Sequence, residues 1–95
     1  MTLRWTRLAA SHLESAFEYL AQDNANQASA AVDRILSAIE ALAHHPQMGR
    51  GGRVPSTREL VITGTPFVVA YRVRKGRIEI LAVLHGARRW PERFE

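Results

Sequence analysis

The 95-residue sequence contains no cysteine, only one lysine and no long hydrophobic run. The absence of cysteine excludes a disulfide framework and a zinc site built from thiolates. No apolar stretch approaches the ~18 residues of a membrane-spanning helix, and no signal-like segment begins the chain, so we expect a cytoplasmic protein without a membrane partner. The length predicts a single domain, residues 1–95, with a thin hydrophobic core.

The two halves of the chain carry net charges of opposite sign. Residues 1–46 carry three Arg against five acidic residues, whereas residues 47–95 carry ten basic against four acidic residues, giving net charges of −2 and +6. Twelve of the thirteen basic residues are Arg, whose guanidinium binds phosphate or carboxylate through two parallel hydrogen bonds. The basic half therefore predicts an anionic partner, either a nucleic acid or an acidic protein segment.

Two apolar runs near the C-terminus, Phe67–Val73 and Ile78–Leu84, are rich in β-branched residues and are separated by a polar insert that contains Gly76. This pattern predicts a β-hairpin. Because the second run is apolar at nearly every position, we expect an interior strand that is buried on both faces. Simple alternation assigns Ile78, Ile80, Ala82 and Leu84 to one face and Leu81 and Val83 to the other.

The preceding part of the chain predicts an edge strand and two helices. The alternating segment Leu3–Thr6 is typical of a short strand, and Thr6 can cap a helix of about fifteen residues that begins near Arg7. The break at Asp23–Asn26 separates this helix from a longer one that ends before Pro46. A connection this short predicts an antiparallel helical hairpin.

One further strand completes the predicted fold. Residues Thr57–Thr63 alternate in hydrophobicity and follow the glycine-rich loop Met48–Pro55. The resulting order is β-α-α-β-β-β. It predicts an α+β fold in which the helical hairpin packs on one face of a small antiparallel sheet.

The segment that follows the last predicted strand has the highest density of potentially functional side chains, with the sequence His85-Gly86-Ala87-Arg88-Arg89-Trp90. A titratable ring, two guanidiniums and an indole stand together there, so we place the candidate functional site at this segment. The adjacent His44 and His45 suit a helix C-terminus, where imidazoles meet the last carbonyls. Glu79 stands alone on its strand, so we expect neither a bound metal nor another cofactor.

The chain resembles the RelE/ParE superfamily of bacterial type II toxins over nearly its whole length. The resemblance rests on the opening Arg4-Trp5-Thr6, the helical hairpin, His45-Pro46-x-Met48-Gly49-Arg50, Tyr71-Arg72-Val73, and Ile78-Glu79-Ile80-Leu81-x-Val83-Leu84-His85-Gly86-x-Arg88. It implies a small toxin that forms a hetero-oligomer with an acidic antitoxin, whose tail folds across the toxin surface. For the antitoxin contacts we expect Arg72, Arg74 and Arg77.

The superfamily includes inhibitors of DNA gyrase and ribosome-dependent mRNA endonucleases. The residues of this sequence help to decide between these two functions. Metal-free cleavage would use His85, Arg72 and Arg88 as catalytic residues. However, Lys75 is the only lysine and no tyrosine follows Tyr71, so the set usual in the mRNA-cleaving members is incomplete. We therefore favour gyrase inhibition, without catalysis. Target contacts are then expected from Arg50, Arg53, Arg88, Arg89 and Trp90. A basic RNA-binding domain without toxicity is a third hypothesis.

Overall fold

The computed structural model describes residues 1–94, in which two helices pack on a five-stranded sheet. The predicted α+β fold with a helical hairpin is confirmed. The elements in chain order are β1 (Thr2–Trp5), α1 (Arg7–Ala21), α2 (Ala25–Leu42), β2 (Arg50–Gly51), β3 (Arg58–Val61), β4 (Phe67–Arg74) and β5 (Arg77–His85). Neither helix in the described part of the chain is long and apolar enough to cross a membrane.

Polar side chains fix the starts of both helices. The Thr6 hydroxyl oxygen accepts the Ala9 N–H at 3.1 Å, and its own O–H donates to the Ile80 carbonyl at 2.9 Å. Thr6 thus caps α1 and ties it to β5. Asn24 caps α2 by accepting the Gln27 N–H at 3.0 Å.

The sheet has the strand order β1-β5-β4-β3-β2. The predicted antiparallel meander is formed by β3, β4 and β5, but the sheet as a whole is mixed because β1 runs parallel to β5. The helical hairpin separates β1 from the other strands along the chain, so no tight turn forces it to run antiparallel. The loop predicted at Met48–Pro55 contains a further short strand, β2, which extends the sheet beyond β3.

A β-bulge changes which side chains of β5 face the helices. In the β4–β5 register Ala70 is opposite Ala82 and Tyr71 is opposite Ile80, so Leu81 is an extra residue on β5. Val83, opposite Val69, therefore packs in the same core as Ile80. The predicted placement of Val83 on the face opposite Ile80 was wrong, because simple alternation does not allow for an inserted residue. The predicted burial of Leu81 and Val83, 5% and 3% exposed, agrees with the structure.

Tyr71 anchors the loop after α2 to the sheet from inside the core. Its side chain is fully buried, and its hydroxyl donates to the Pro46 carbonyl and accepts the Gly49 N–H, both at 2.9 Å. A Cβ at residue 49 would lie 2.7 Å from that hydroxyl, so only glycine permits this approach. These contacts bring Pro46 and Gly49 together with Tyr71, which is more than twenty residues away in the sequence.

Candidate functional site

The residues after β5 form a tight turn that is organised by His85. Its Nδ1 accepts the Ala87 N–H at 3.2 Å, and its carbonyl oxygen accepts the Trp90 Nε1–H at 3.2 Å. The imidazole packs edge-on against Phe67, with ring centroids 6.0 Å apart. His85 is therefore held on the helix-facing side of the sheet, with its Nδ1 and its backbone carbonyl both engaged in local hydrogen bonds.

The opposite face of the sheet carries a cluster of three charged residues, Glu59, Arg50 and Arg53, which we call the Glu59 cluster. The Glu59 carboxylate is 2% exposed and accepts from Arg50 Nη2 at 3.1 Å and from the Arg53 backbone N–H at 2.7 Å. Arg53 Nε and Nη2 donate to the same carboxylate at 3.0 and 3.1 Å. Burial alone raises the pKa of Glu59, but these hydrogen bonds outweigh it and hold the pKa below its ordinary value.

The Glu59 cluster also holds the C-terminal segment. The Arg53 guanidinium lies 3.8 Å from the Trp90 ring centroid, and Arg53 Nη1 donates to the Gly86 carbonyl at 3.4 Å. Trp90 in turn meets Phe94 edge-on at 6.4 Å. Of the predicted target-binding residues, the structure thus brings Arg50, Arg53 and Trp90 into one internal network.

Arg72 belongs to a different part of the molecule. It lies opposite Glu79 in the β4–β5 register, and its Nε donates to the Glu79 carboxylate. That hydrogen bond, opposed by burial and reinforced by the charges of Arg72, Arg74 and Arg77, lowers the pKa of Glu79. The predicted antitoxin-binding residues Arg72, Arg74 and Arg77 therefore surround one carboxylate at the turn end of the β4–β5 hairpin.

Of the three predicted catalytic residues, Arg72 lies far from His85 and Arg88. His85 lies opposite Phe67, which is five residues from Arg72 along β4, a separation of about 17 Å. His85 shares the helix-facing side with Phe67, whereas Arg72 follows the inward-facing Tyr71 and points to the other side. One phosphate cannot contact both side chains in this arrangement.

A cavity of about 210 Å³ lies between α1 and the end of β5. The predicted site residues His85, Arg88 and Arg89 line it, and the Arg88 guanidinium lies 5.6 Å from the Tyr19 ring centroid. Sequence reasoning missed the α1 side chains His12, Ser15 and Tyr19, which also line this cavity. Their spacing of three and four residues, which places them on one helix face, was the available signal.

His12 connects α1 to the bulged strand. Its Nδ1 accepts the Val83 N–H at 3.2 Å, two residues after the extra residue Leu81 in β5. Burial of the ring lowers the pKa of His12, because a cation is poorly solvated there. The neutral ring is also the form that can accept the hydrogen bond.

The sequence model described as "ParE toxin of type II toxin-antitoxin system, parDE" matches residues 3–90 of the chain. The chain belongs to the ParE toxin family. Protein Y4kP of Sinorhizobium fredii, which is named as a toxin, is 40% identical over 95% of this chain and 93% of its own length. Toxin RelE2 of Caulobacter vibrioides is 32% identical, covering 88% of this chain and 93% of that protein.

A solved structure agrees with this assignment. A chain from the "Chromosomal ParDE TA system from P. aeruginosa" superposes with a TM-score of 0.77 at 31% identity, covering 87% of this chain and 92% of the other. The protein is accordingly a ParE-type toxin of a type II toxin–antitoxin system, and it has an antitoxin as its partner. The ParE family match spans both the cavity beside α1 and the Glu59 cluster.

Proposed function

We propose that this ParE-type toxin inhibits DNA gyrase and does not cleave mRNA on the ribosome. The observation that carries the proposal is the separation of His85 from Arg72 by about 17 Å and by the thickness of the sheet. Metal-free cleavage of RNA requires a proton-transfer group and cations gathered around a single phosphate. A toxin that acts by binding gyrase has no such requirement.

The engagement of the same residues also favours binding over catalysis. His85 Nδ1 is occupied by the Ala87 N–H, and Arg72 is paired with Glu79. A nuclease would have to break the Arg72–Glu79 pair before Arg72 could contact a substrate phosphate. Lys75 lies at the hairpin turn beside Arg74, far from His85, so it does not replace Arg72 there.

For the gyrase contact we propose Arg88, Arg89 and Trp90. Arg88 and Arg89 are exposed, and Trp90 is held beside them by its stacking on Arg53 and its hydrogen bond to His85. Arg and Trp are the side chains that most often dominate the energetics of protein interfaces. Arg50 and Arg53 then act by positioning Trp90, because both are committed to Glu59.

The antitoxin contact is proposed at the other end of the hairpin. A groove of about 430 Å³ on the face away from the helices is lined by Arg72, Arg74 and Arg93 together with the apolar Leu81 and Phe94. An acidic segment with apolar side chains fits such a groove in charge and in hydrophobicity. A second, apolar groove between α2 and β3, of about 510 Å³, lies on the helix side. An antitoxin tail that fills both must pass around the β2–β3 edge of the sheet.

The nuclease alternative is tested with His85→Ala. After induction of the parent or the variant, mRNA on translating ribosomes is mapped for cleavage while growth arrest is recorded. We expect intact message and equal growth arrest for both, because His85 performs no proton transfer in a gyrase inhibitor. Cleavage in the ribosomal A site that falls about 100-fold or more with His85→Ala would overturn the proposal. Each variant must first melt like the parent.

The antitoxin contact is tested by charge reversal. Arg74→Glu combined with Arg77→Glu should weaken binding of the antitoxin encoded beside this gene by about tenfold or more, because two attractive contacts become repulsive. The control combines Arg88→Glu with Arg89→Glu, which makes the same change in net charge beyond the opposite end of β5. Equal loss of affinity in both doubles would mean that only the overall charge matters and that the contact lies elsewhere.

A further inference from the structure

The cavity between α1 and the end of β5 has an apolar floor and a polar rim. Ala16, Phe67 and Val83 form part of the floor, and the polar lining consists of His12, Ser15, Tyr19, His85, Arg88 and Arg89. The antitoxin and gyrase contacts proposed above do not use His12, Ser15 or Tyr19. This constellation therefore needs a separate explanation.

The two imidazoles of the cavity are held in the same tautomer. His12 Nδ1 accepts the Val83 N–H at 3.2 Å, and His85 Nδ1 accepts the Ala87 N–H at 3.2 Å. A neutral imidazole that accepts at one nitrogen carries its proton on the other. Both rings consequently present an Nε2–H, so the backbone has fixed two hydrogen-bond donors in the wall of one cavity.

The remaining polar groups are also donors. Arg88 and Arg89 supply guanidinium N–H groups, and Ser15 and Tyr19 supply hydroxyls. Within residues 1–94, no carboxylate lines the cavity. These six side chains offer more hydrogen-bond donors than the two oxygens of a carboxylate can accept. They match the three terminal oxygens and the charge of about −1.5 to −2 of a phosphate monoester.

The size of the cavity limits what the phosphate can belong to. A volume of 210 Å³ corresponds to about seven water molecules in the liquid, enough for a phosphoryl group and an attached sugar. The Tyr19 side chain at the mouth is 53% exposed and offers a surface on which a base can stack. A double helix is far too wide to enter.

We propose that this cavity binds a phosphate monoester, supplied either by a free mononucleotide or by the 5′-phosphate at the end of a nucleic-acid strand. Arg88 and Arg89 balance the charge, and the Nε2–H groups of His12 and His85 orient the oxygens. The site shares Arg88 and Arg89 with the proposed gyrase contact, but its test measures phosphate binding alone and so fails or succeeds separately from the gyrase proposal.

The test is titration of the purified toxin with AMP, followed through the imidazole nitrogen and proton resonances of His12 and His85. We expect saturable shifts of both rings with AMP, smaller shifts with inorganic phosphate and none with adenosine. Arg88→Gln combined with Arg89→Gln should weaken AMP binding by about tenfold or more. The matched control, Arg74→Gln combined with Lys75→Gln, removes the same charge at the far end of the hairpin and should leave binding unchanged.

Several outcomes would overturn the proposal. It fails if AMP produces no saturable shift, if adenosine binds equally well, or if both double variants lose affinity to the same extent. Because all four substituted residues are exposed, the variants should keep the parental melting temperature, and this is measured first. If AMP binds, a 5′-phosphorylated DNA oligonucleotide is compared with its 5′-hydroxyl form. Tighter binding of the phosphorylated strand than of AMP assigns the source to a strand end, and the reverse assigns it to a free nucleotide.

Discussion

At the residue scale, His12 both stabilises the fold and lines the cavity beside α1. The Val83 N–H, close to the bulge in β5, donates to His12 Nδ1 on α1 at 3.2 Å. Val83 is 3% exposed, so water cannot easily replace this hydrogen bond. The same contact fixes the tautomer that turns the Nε2–H of His12 toward a ligand.

This contact predicts a pH dependence of stability. The folded-state pKa of His12 lies below its ordinary value of 6.5, so the unfolded chain binds the proton more readily. Stability from this contact is therefore fully present above about pH 6.5 and declines as the pH falls below it. His12→Phe should lower the free energy of unfolding by about 1–3 kcal/mol at pH 8 and should abolish that decline.

Urea unfolding at pH 8 and at pH 5 measures both effects, with exposed His44→Gln as the control that should behave like the parent. Glu59 and Glu79 contribute in a separate window. Their lowered pKa values make their stabilisation complete above the ordinary value of 4.5, and it is lost only as the pH falls further. A decline between pH 6.5 and 5 that persists in His12→Phe would show that another group is responsible.

At the element scale, β5 is the strand on which the other elements converge. It pairs with β1 on one side and β4 on the other, and α1 is capped against it through Thr6. Leu81, the extra residue of the bulge, is 5% exposed and lines the groove on the face away from the helices, together with Phe94 and Val54. The chain after β5 thus helps to cover the second face of the sheet.

Leu81→Asp should unfold the domain under conditions where the parent is stable, because it buries an unpaired carboxylate and removes apolar contacts, at a cost of about 3 kcal/mol or more. The matched control is Val61→Asp in β3, a side chain that is 50% exposed and should tolerate the charge. Thermal unfolding of the two variants measures this difference in stability. A Leu81→Asp variant as stable as Val61→Asp would contradict the burial of β5 on both faces.

Much of this architecture could be predicted from local patterns, and the errors have identifiable causes. The Thr6 and Asn24 caps and the hairpin turn at Gly76 are set by residues close in sequence, so they were predictable. The position of Val83 was not, because the bulge arises from pairing between β4 and β5. The partner of Arg53 was also hidden, since Glu59 and Trp90 approach it only after the strands have assembled.

At the scale of the whole molecule, the two sides of the sheet carry different structural features. The helix side holds the core and the donor-lined cavity, and the other side holds the Glu59 cluster and the arginine-lined groove. The predicted catalytic set of His85, Arg72 and Arg88 would have to span this division, with His85 on one side and Arg72 on the other. A surface that binds a protein target needs only Arg88, Arg89 and Trp90, which follow one another along the chain.

The most direct measurement is supercoiling of relaxed plasmid by purified gyrase at increasing concentrations of toxin. The gyrase proposal predicts that the parent toxin stops supercoiling. It also predicts that combined Arg88→Gln, Arg89→Gln and Trp90→Ala raises the required concentration by about tenfold or more, while the control Arg74→Gln with Lys75→Gln does not. Undiminished supercoiling at a large excess of correctly folded parent toxin would contradict the account.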